Sequence, residues 1–176
     1  MTEFSRIVRV DEVRGGLAKS IEATPAECHA LAGRFDLVGV AALAADFTLS
    51  QRAEGIAVTG VVRGEAIASC VISAEDVPQH IEETVDLTLV AGLPDTPTDE
   101  ELELGEVDLD RLPLEDGRID LGELAAMSFA LALDPYPRAS DEALERARQH
   151  LISEEEAAAQ AEADKRTASP FAGLKN

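Results

Sequence analysis

The sequence has very few aromatic residues. Only 3% of its 176 residues are Phe, Tyr or Trp, and Trp is absent. Apolar residues still make up 45% of the chain, so we expect a hydrophobic core built mainly from Val, Ile, Leu and Ala. The length suits one domain of ordinary size with an appendage.

Cysteine and histidine are also scarce. The two cysteines, Cys28 and Cys70, lie far apart in the sequence, which excludes a disulfide framework. His29, His80 and His150 each stand alone, without a second ligand at helical spacing. The sequence therefore predicts no metal site and no cofactor.

Long apolar segments are missing as well. No run approaches the ~18 residues that a membrane-spanning helix needs, and the N-terminus has no charged-then-apolar signal segment. We therefore expect a soluble cytoplasmic protein that does not contact a membrane.

Basic residues are few and acidic ones are abundant. The chain has 15 Lys and Arg but 35 Asp and Glu. Residues 75–123 alone hold 17 acidic and 2 basic side chains. Such a charge repels phosphate, which argues against DNA and against a broad RNA-binding surface. It favours a basic protein partner, although solubility alone would also explain it. The candidate partner-binding residues in an acidic loop predicted at about 91–118 are Asp99, Glu100, Glu101 and Glu103.

Alternating apolar residues predict an antiparallel sheet. The first long run changes phase, which indicates a bulge near Ala45, and Gly60 and Gly64 are expected to bend the second. Residues 13–22 lack periodicity and predict a loop or a short turn. Short connections favour a meander, so we expect an α+β domain over residues 1–138 with a curled, barrel-like sheet covered by helices. The predicted strands are residues 4–10, 37–50, 56–72, 81–90 and 102–114.

The first helix has a clear start. Thr24 is a suitable N-cap, Pro25 suits the first helical position, and Glu27 completes a capping box. The helix is expected to run to about Arg34. Its predicted buried face comprises Cys28, Leu31 and Ala32.

A second helix is predicted to begin at Leu121. Asp120 and Glu123 have the spacing of a capping box. Residues 124–133 are apolar on nearly every face, which is typical of a helix in the core or one held against another surface. Pro135 is expected to end the helix.

The segment after this helix is a candidate binding element. Tyr136 lies between Pro135 and Pro137, so residues 134–138 should form a stiff extended strut. We favour an interpretation in which the helix is core and the strut only leads out of it. In the alternative, one side of the helix packs on the sheet, and Tyr136 and Arg138 form an exposed binding ridge. Residues 139–176 are expected to be a less tightly packed helical extension and tail.

Several motifs then resemble one family. They are Cys70-Val71-Ile72 followed by the strand at 81–89, IDLGEL at 119–124, LALDPYPR at 131–138 and PFAGLK at 170–175. In this order and spacing the chain resembles the YceD family, the large ribosomal RNA subunit accumulation proteins, in an alphaproteobacterial-type branch. Many relatives carry a CxRC pair near Cys70. Here Ser73 replaces the second thiol, and one thiolate cannot hold zinc.

The resemblance implies a role in accumulation and processing of 23S ribosomal RNA and in large-subunit assembly. It supplies no catalytic residue, so we expect a protein that is not an enzyme. The acidic segment suggests that it binds a basic ribosomal protein or assembly factor and contacts ribosomal RNA indirectly. Two alternatives remain: an acidic chaperone or adaptor outside ribosome biology, and a metal-dependent RNA-processing enzyme that uses its carboxylates.

Overall fold

A computed structural model describes residues 3–92 and 111–148 of the chain. The acidic residues Asp99, Glu100, Glu101 and Glu103, most of the strand predicted at 102–114 and most of the predicted tail lie outside these ranges. A short 3-10 helix covers Val10–Val13. The strands are β1 (Ile7–Arg9), β2 (Leu17–Glu22), β3 (Gly39–Arg52), β4 (Gly55–Ser69), β5 (Asp76–Ala91), β6 (Arg111–Leu114) and β7 (Arg118–Asp120), and the helices are α1 (Pro25–Arg34), α2 (Leu121–Ala132) and α3 (Asp141–Arg148).

The strands form one large sheet and one small one. The large sheet has the order β2-β3-β4-β5-β6, and β1 pairs with β7 in the small one. The predicted antiparallel meander is confirmed for β3 to β5, and β2 extends it by pairing antiparallel with β3. The strand predicted at 4–10 does not join this sheet, because β1 pairs with β7 instead, and β6 runs parallel to β5. The α+β class is confirmed. The sheet is open, with β2 and β6 at its edges, so the predicted barrel-like curl is not confirmed.

The two strand glycines provide space where bending was predicted. A Cβ atom on Gly64 would lie 2.6 Å from the ring of Phe129, and one on Gly60 would lie 2.7 Å from the Phe47 side chain. Absence of a side chain at these positions lets large apolar groups approach the strand closely. Gly64 therefore positions α2 on the sheet.

Two further predictions about the strands are wrong. Residues 17–22 form β2 instead of a loop. Only Ile21 is buried in this edge strand, so the sequence carries no alternation to reveal it. The bulge lies between Val40 and Ala42 instead of near Ala45. Beyond it, the buried side chains alternate without interruption, through Leu43, Ala45, Phe47 and Leu49.

Both predicted helix starts are confirmed. Thr24 and Glu27 form the reciprocal capping box at α1. At α2, an oxygen of Asp120 accepts from the backbone N–H groups of Gly122 and Glu123, at 3.1 and 3.3 Å. The reciprocal bond from Glu123 is not formed, because its carboxylate accepts two hydrogen bonds from Arg34 on α1, at 2.6 and 2.8 Å.

The core lies between the large sheet and the two helices that pack on its apolar face. Helix α1 packs on β3, and α2 packs across β3, β4 and β5. Fully buried side chains from both layers interdigitate there, including Leu31, Phe47, Val58, Val62 and Phe129. The prediction that these two helices cover one face of the sheet is confirmed.

Candidate protein-binding face

The segment after α2 is held at both ends, by β5 at its start and by the turn after β4 near its end. The backbone N–H of Asp134 donates to Oε1 of Gln79 on β5 at 2.8 Å, and Nε2 of Gln79 donates back to the Asp134 carbonyl at 3.3 Å. Further along, the Val71 N–H donates to the carbonyl of Pro137 at 3.1 Å. The Tyr136 N–H also donates to the Asp134 carboxylate at 2.8 Å. The strut is thus fixed by hydrogen bonds as well as by its prolines.

This anchoring exposes the two predicted binding residues. Tyr136 is 71% exposed and Arg138 is exposed, while Pro137 between them is buried. One side of α2 packs on the sheet while Met127 and Leu131 face outward. Half of the helix residues are buried in the core, as both interpretations require, and the exposed Tyr136 and Arg138 are arranged as the alternative expects. That Tyr136 and Arg138 bind a partner stays a prediction.

Cys70 joins two segments that are distant in sequence. Its buried sulfur accepts hydrogen bonds from the backbone N–H groups of Ser73 at 3.4 Å and Ala139 at 3.2 Å. Hydrogen bonding from Ser73, with a further contribution from Ala139, lowers the pKa of the thiol to about 6. Cys70 therefore connects the turn after β4 to the end of the strut, a role that its sequence neighbourhood does not indicate.

An apolar groove runs along the outward side of α2. One part has a volume of about 340 Å³ and lies between α2 and β5. A second part, of about 380 Å³, continues toward the start of α2 and shares Leu112, Leu124 and Met127 with the first. Sequence reasoning missed this groove, although the all-round apolar character of α2 was its signal.

Carboxylates surround this groove. Glu83 and Asp86 of β5 line its first part and Glu115 its second, and all three are exposed. Among the described residues, Arg118 is the one basic residue in either lining. Within residues 3–92 and 111–148, no group of three or more His, Cys, Asp or Glu is placed to hold a metal ion. No helix in those same ranges is long and apolar enough to cross a membrane.

Together these features define an α+β protein with an apolar groove, exposed carboxylates around it and an anchored strut beside it. Residues 58–176, about two thirds of the chain, match the model of the family described as large ribosomal RNA subunit accumulation protein YceD. The chain belongs to this family, which confirms the resemblance at the level of the family and links the protein to ribosome biogenesis. The matched residues include the groove, Cys70 and the strut. Among curated proteins and among solved structures, the comparison found no match.

Proposed function

We propose that this protein is a non-enzymatic cytoplasmic factor in 23S ribosomal RNA accumulation and large-subunit assembly that acts by binding a basic protein partner. Family membership supplies the link to the large ribosomal subunit RNA. The observation that carries the rest is the concentration of 17 acidic and 2 basic residues in 75–123, inside the matched region.

The charge distribution favours protein over RNA as the direct partner. A phosphate backbone approaching residues 75–123 meets a strongly repulsive field, whereas a basic ribosomal protein or assembly factor is attracted. A protein of that kind needs shielding until it meets RNA, and an acidic surface can supply it. Contact of this chain with ribosomal RNA is therefore indirect in the proposal.

The described part of the acidic segment is available for such a partner. Glu82 lies 3.8 Å from Arg63, across the β4–β5 pair. Glu83, Asp86 and Glu115 are exposed and form no ion pair within residues 3–92 and 111–148. Their charge is not neutralised inside this part of the molecule. The proposed partner-binding residues are these three carboxylates together with the ridge and the acidic loop. The ridge consists of Tyr136 and Arg138, and the loop residues are Asp99, Glu100, Glu101 and Glu103.

The test is affinity purification of the full chain from its native cells, with co-purifying proteins and RNA both identified. We expect basic ribosomal proteins or assembly factors that stay bound after ribonuclease treatment and are released at high salt, because exposed charge pairs are screened. Loss of all partners with ribonuclease would mean that RNA is the direct ligand. Partners unrelated to the ribosome would support the adaptor outside ribosome biology.

Neutralising variants then locate the binding charge. Amide replacement of the four loop carboxylates should slow association with the captured partner more than it speeds release. The matched control removes the same charge outside the segment. An unchanged association rate in the first variant, or an equal change in both, would remove the loop from the mechanism. The control substitutions are Glu154→Gln, Glu155→Gln, Glu156→Gln and Glu162→Gln.

Changing the ridge separates binding from stability. Replacing Tyr136 and Arg138 together by Ala removes exposed side chains, so the melting temperature should stay nearly unchanged while partner capture weakens. Full capture by this stable double variant, or a large loss of stability, would leave the strut with a structural role alone.

A further inference from the structure

As residues 3–92 and 111–148 define it, the groove beside α2 has a shape suited to a helix. Leu124, Met127 and Leu131 lie at positions i, i+3 and i+7 of α2, which places them in one stripe along the helix. Exposure rises along this stripe, from 8% at Leu124 through 39% at Met127 to 86% at Leu131. A stripe with this spacing is the seam with which one helix packs against another.

The opposite wall of the groove comes from the sheet. Val85 and Leu87 of β5 and Leu112 of β6 line it. Helices α1 and α2 cover β3 and its neighbours, while Leu87 and Leu112 stay half-buried at the β6 end of the sheet. The groove is thus bounded by a helix on one side and a sheet face on the other, which is the environment of the next helix in a two-layer domain.

The rim of the groove specifies the charge of its occupant. Glu83, Asp86 and Glu115 are exposed carboxylates, and none of them forms an ion pair within the described ranges. An apolar floor with an acidic rim complements a segment that is apolar on one side and carries Lys or Arg along its flanks.

We infer that this groove binds an amphipathic helical segment of the partner, with apolar residues at helical spacing and basic residues on both flanks. The inference rests on the proposed function and names the site and the recognised chemistry. From Leu124 to Leu131 the stripe extends about 10 Å along the axis of α2, so the groove accommodates about two turns of the partner helix.

A synthetic peptide tests the proposal on the full chain. The probe is a helical peptide with Leu at every third and fourth position and Lys elsewhere, labelled for fluorescence anisotropy. Two control peptides keep its length, one with the same residues in scrambled order and one with Glu in place of Lys. We expect saturable binding of the first peptide and clearly weaker binding of both controls. Equal binding of the scrambled peptide would overturn the proposal, because charge alone would then suffice.

Groove variants establish where the peptide binds. Met127→Ser with Leu131→Ser should weaken binding by about tenfold or more, since apolar anchors at the centre of an interface dominate its affinity. The matched control is Val38→Ser with Ile72→Ser, which also changes two exposed apolar side chains, neither of which lines the groove. Equal effects of the two double variants would contradict the assignment of the site.

A methyl spectrum reports on the groove directly. Met127 is one of only two methionines in the chain, so its labelled methyl signal is readily assigned. The signal should shift when the Leu and Lys peptide is added, and no shift would refute docking here. It should not move when protein concentration rises or when Phe171 and Leu174 near the C-terminus are changed to Ser. Movement in either case would assign the groove to a second copy or to the chain's own terminus.

Failure of this inference is distinguishable from failure of the proposed function. If the groove variant captures the native partner normally while the loop variant does not, the partner binds elsewhere and the function stands. If no basic protein co-purifies at all, the proposed function fails whatever the peptide does.

Discussion

The partly exposed ion pair at the start of α1 offers a quantitative test of the electrostatics. Glu27 completes the capping box by accepting from the Thr24 backbone N–H at 2.8 Å. Its two carboxylate oxygens also accept from the guanidinium of Arg6, at 2.7 and 2.9 Å. This bidentate pair connects α1 to the segment that leads into β1. We predict that Glu27→Gln destabilises the fold in a pH-dependent manner.

The magnitude follows from the pKa of Glu27. Hydrogen bonding from Arg6, followed by that from the Thr24 backbone, lowers this pKa from 4.5 to about 2. Such a difference corresponds to at most about 3 kcal/mol of stability. The side chains of Glu27 and Arg6 are 21% and 32% exposed, so solvent screening reduces the expected contribution to about 1–2 kcal/mol.

The sign follows from the lowered pKa. The folded state holds Glu27 ionised more strongly than the unfolded state does, so the stabilisation is complete above pH 4.5 and is lost as pH falls toward 2. Urea denaturation at a series of pH values should therefore show a gap of about 1–2 kcal/mol between wild type and Glu27→Gln at pH 7. The gap should close under acid conditions. Glu22→Gln, a charge-matched change at an exposed neighbour, should show no such gap, and a pH-independent gap for Glu27→Gln would refute the reasoning.

Two further predictions concern α2 and the strut. Gly122→Ala should destabilise the fold by about 1–3 kcal/mol in urea denaturation, because its Cβ would lie 2.6 Å from the carbonyl oxygen of Phe4. Gly33→Ala, in open space on α1, should be neutral or stabilising by up to ~1 kcal/mol, and equal losses would contradict the close approach. Because the pKa of Cys70 is lowered, its thiolate should stabilise the folded state. This stabilisation should be complete above pH 9 and lost as pH falls toward 6. The stability difference between wild type and Cys70→Ala should change over that interval, and a difference that is constant with pH would exclude a thiolate.

Features with local causes were predictable from the sequence. Helix α1 begins at Pro25 because Thr24 and Glu27, three residues apart, form a capping box. Helix α2 begins at Leu121 because Asp120 caps its first turn. Both are set by short-range hydrogen bonds. The buried faces of β3 to β5 follow from alternation, which reports burial on one side of a sheet.

Features with distant causes were not predictable. Strand β2 is recognisable only once β3 provides its hydrogen bonds, because Ile21 is its one buried side chain. Parallel pairing of β6 with β5 likewise depends on where the chain returns after residue 92. The contact of the Cys70 sulfur with Ala139 joins residues 69 positions apart. Local patterns carry no information on such pairs.

Helix α2 shows how an excess of apolar residues becomes a functional signal. Its sequence is apolar on nearly all faces, and the sheet covers only one of them. A helix that served the core alone would need no apolar side chains at 127 and 131, where polar ones would be better solvated. In the proposed function, the exposed stripe and the surrounding carboxylates act on different steps of binding. The charges should set the association rate and its salt dependence, and the apolar groove should set the dissociation rate. Loop variants and groove variants should therefore change different rate constants for the same partner, which a single acidic surface kept only for solubility would not do.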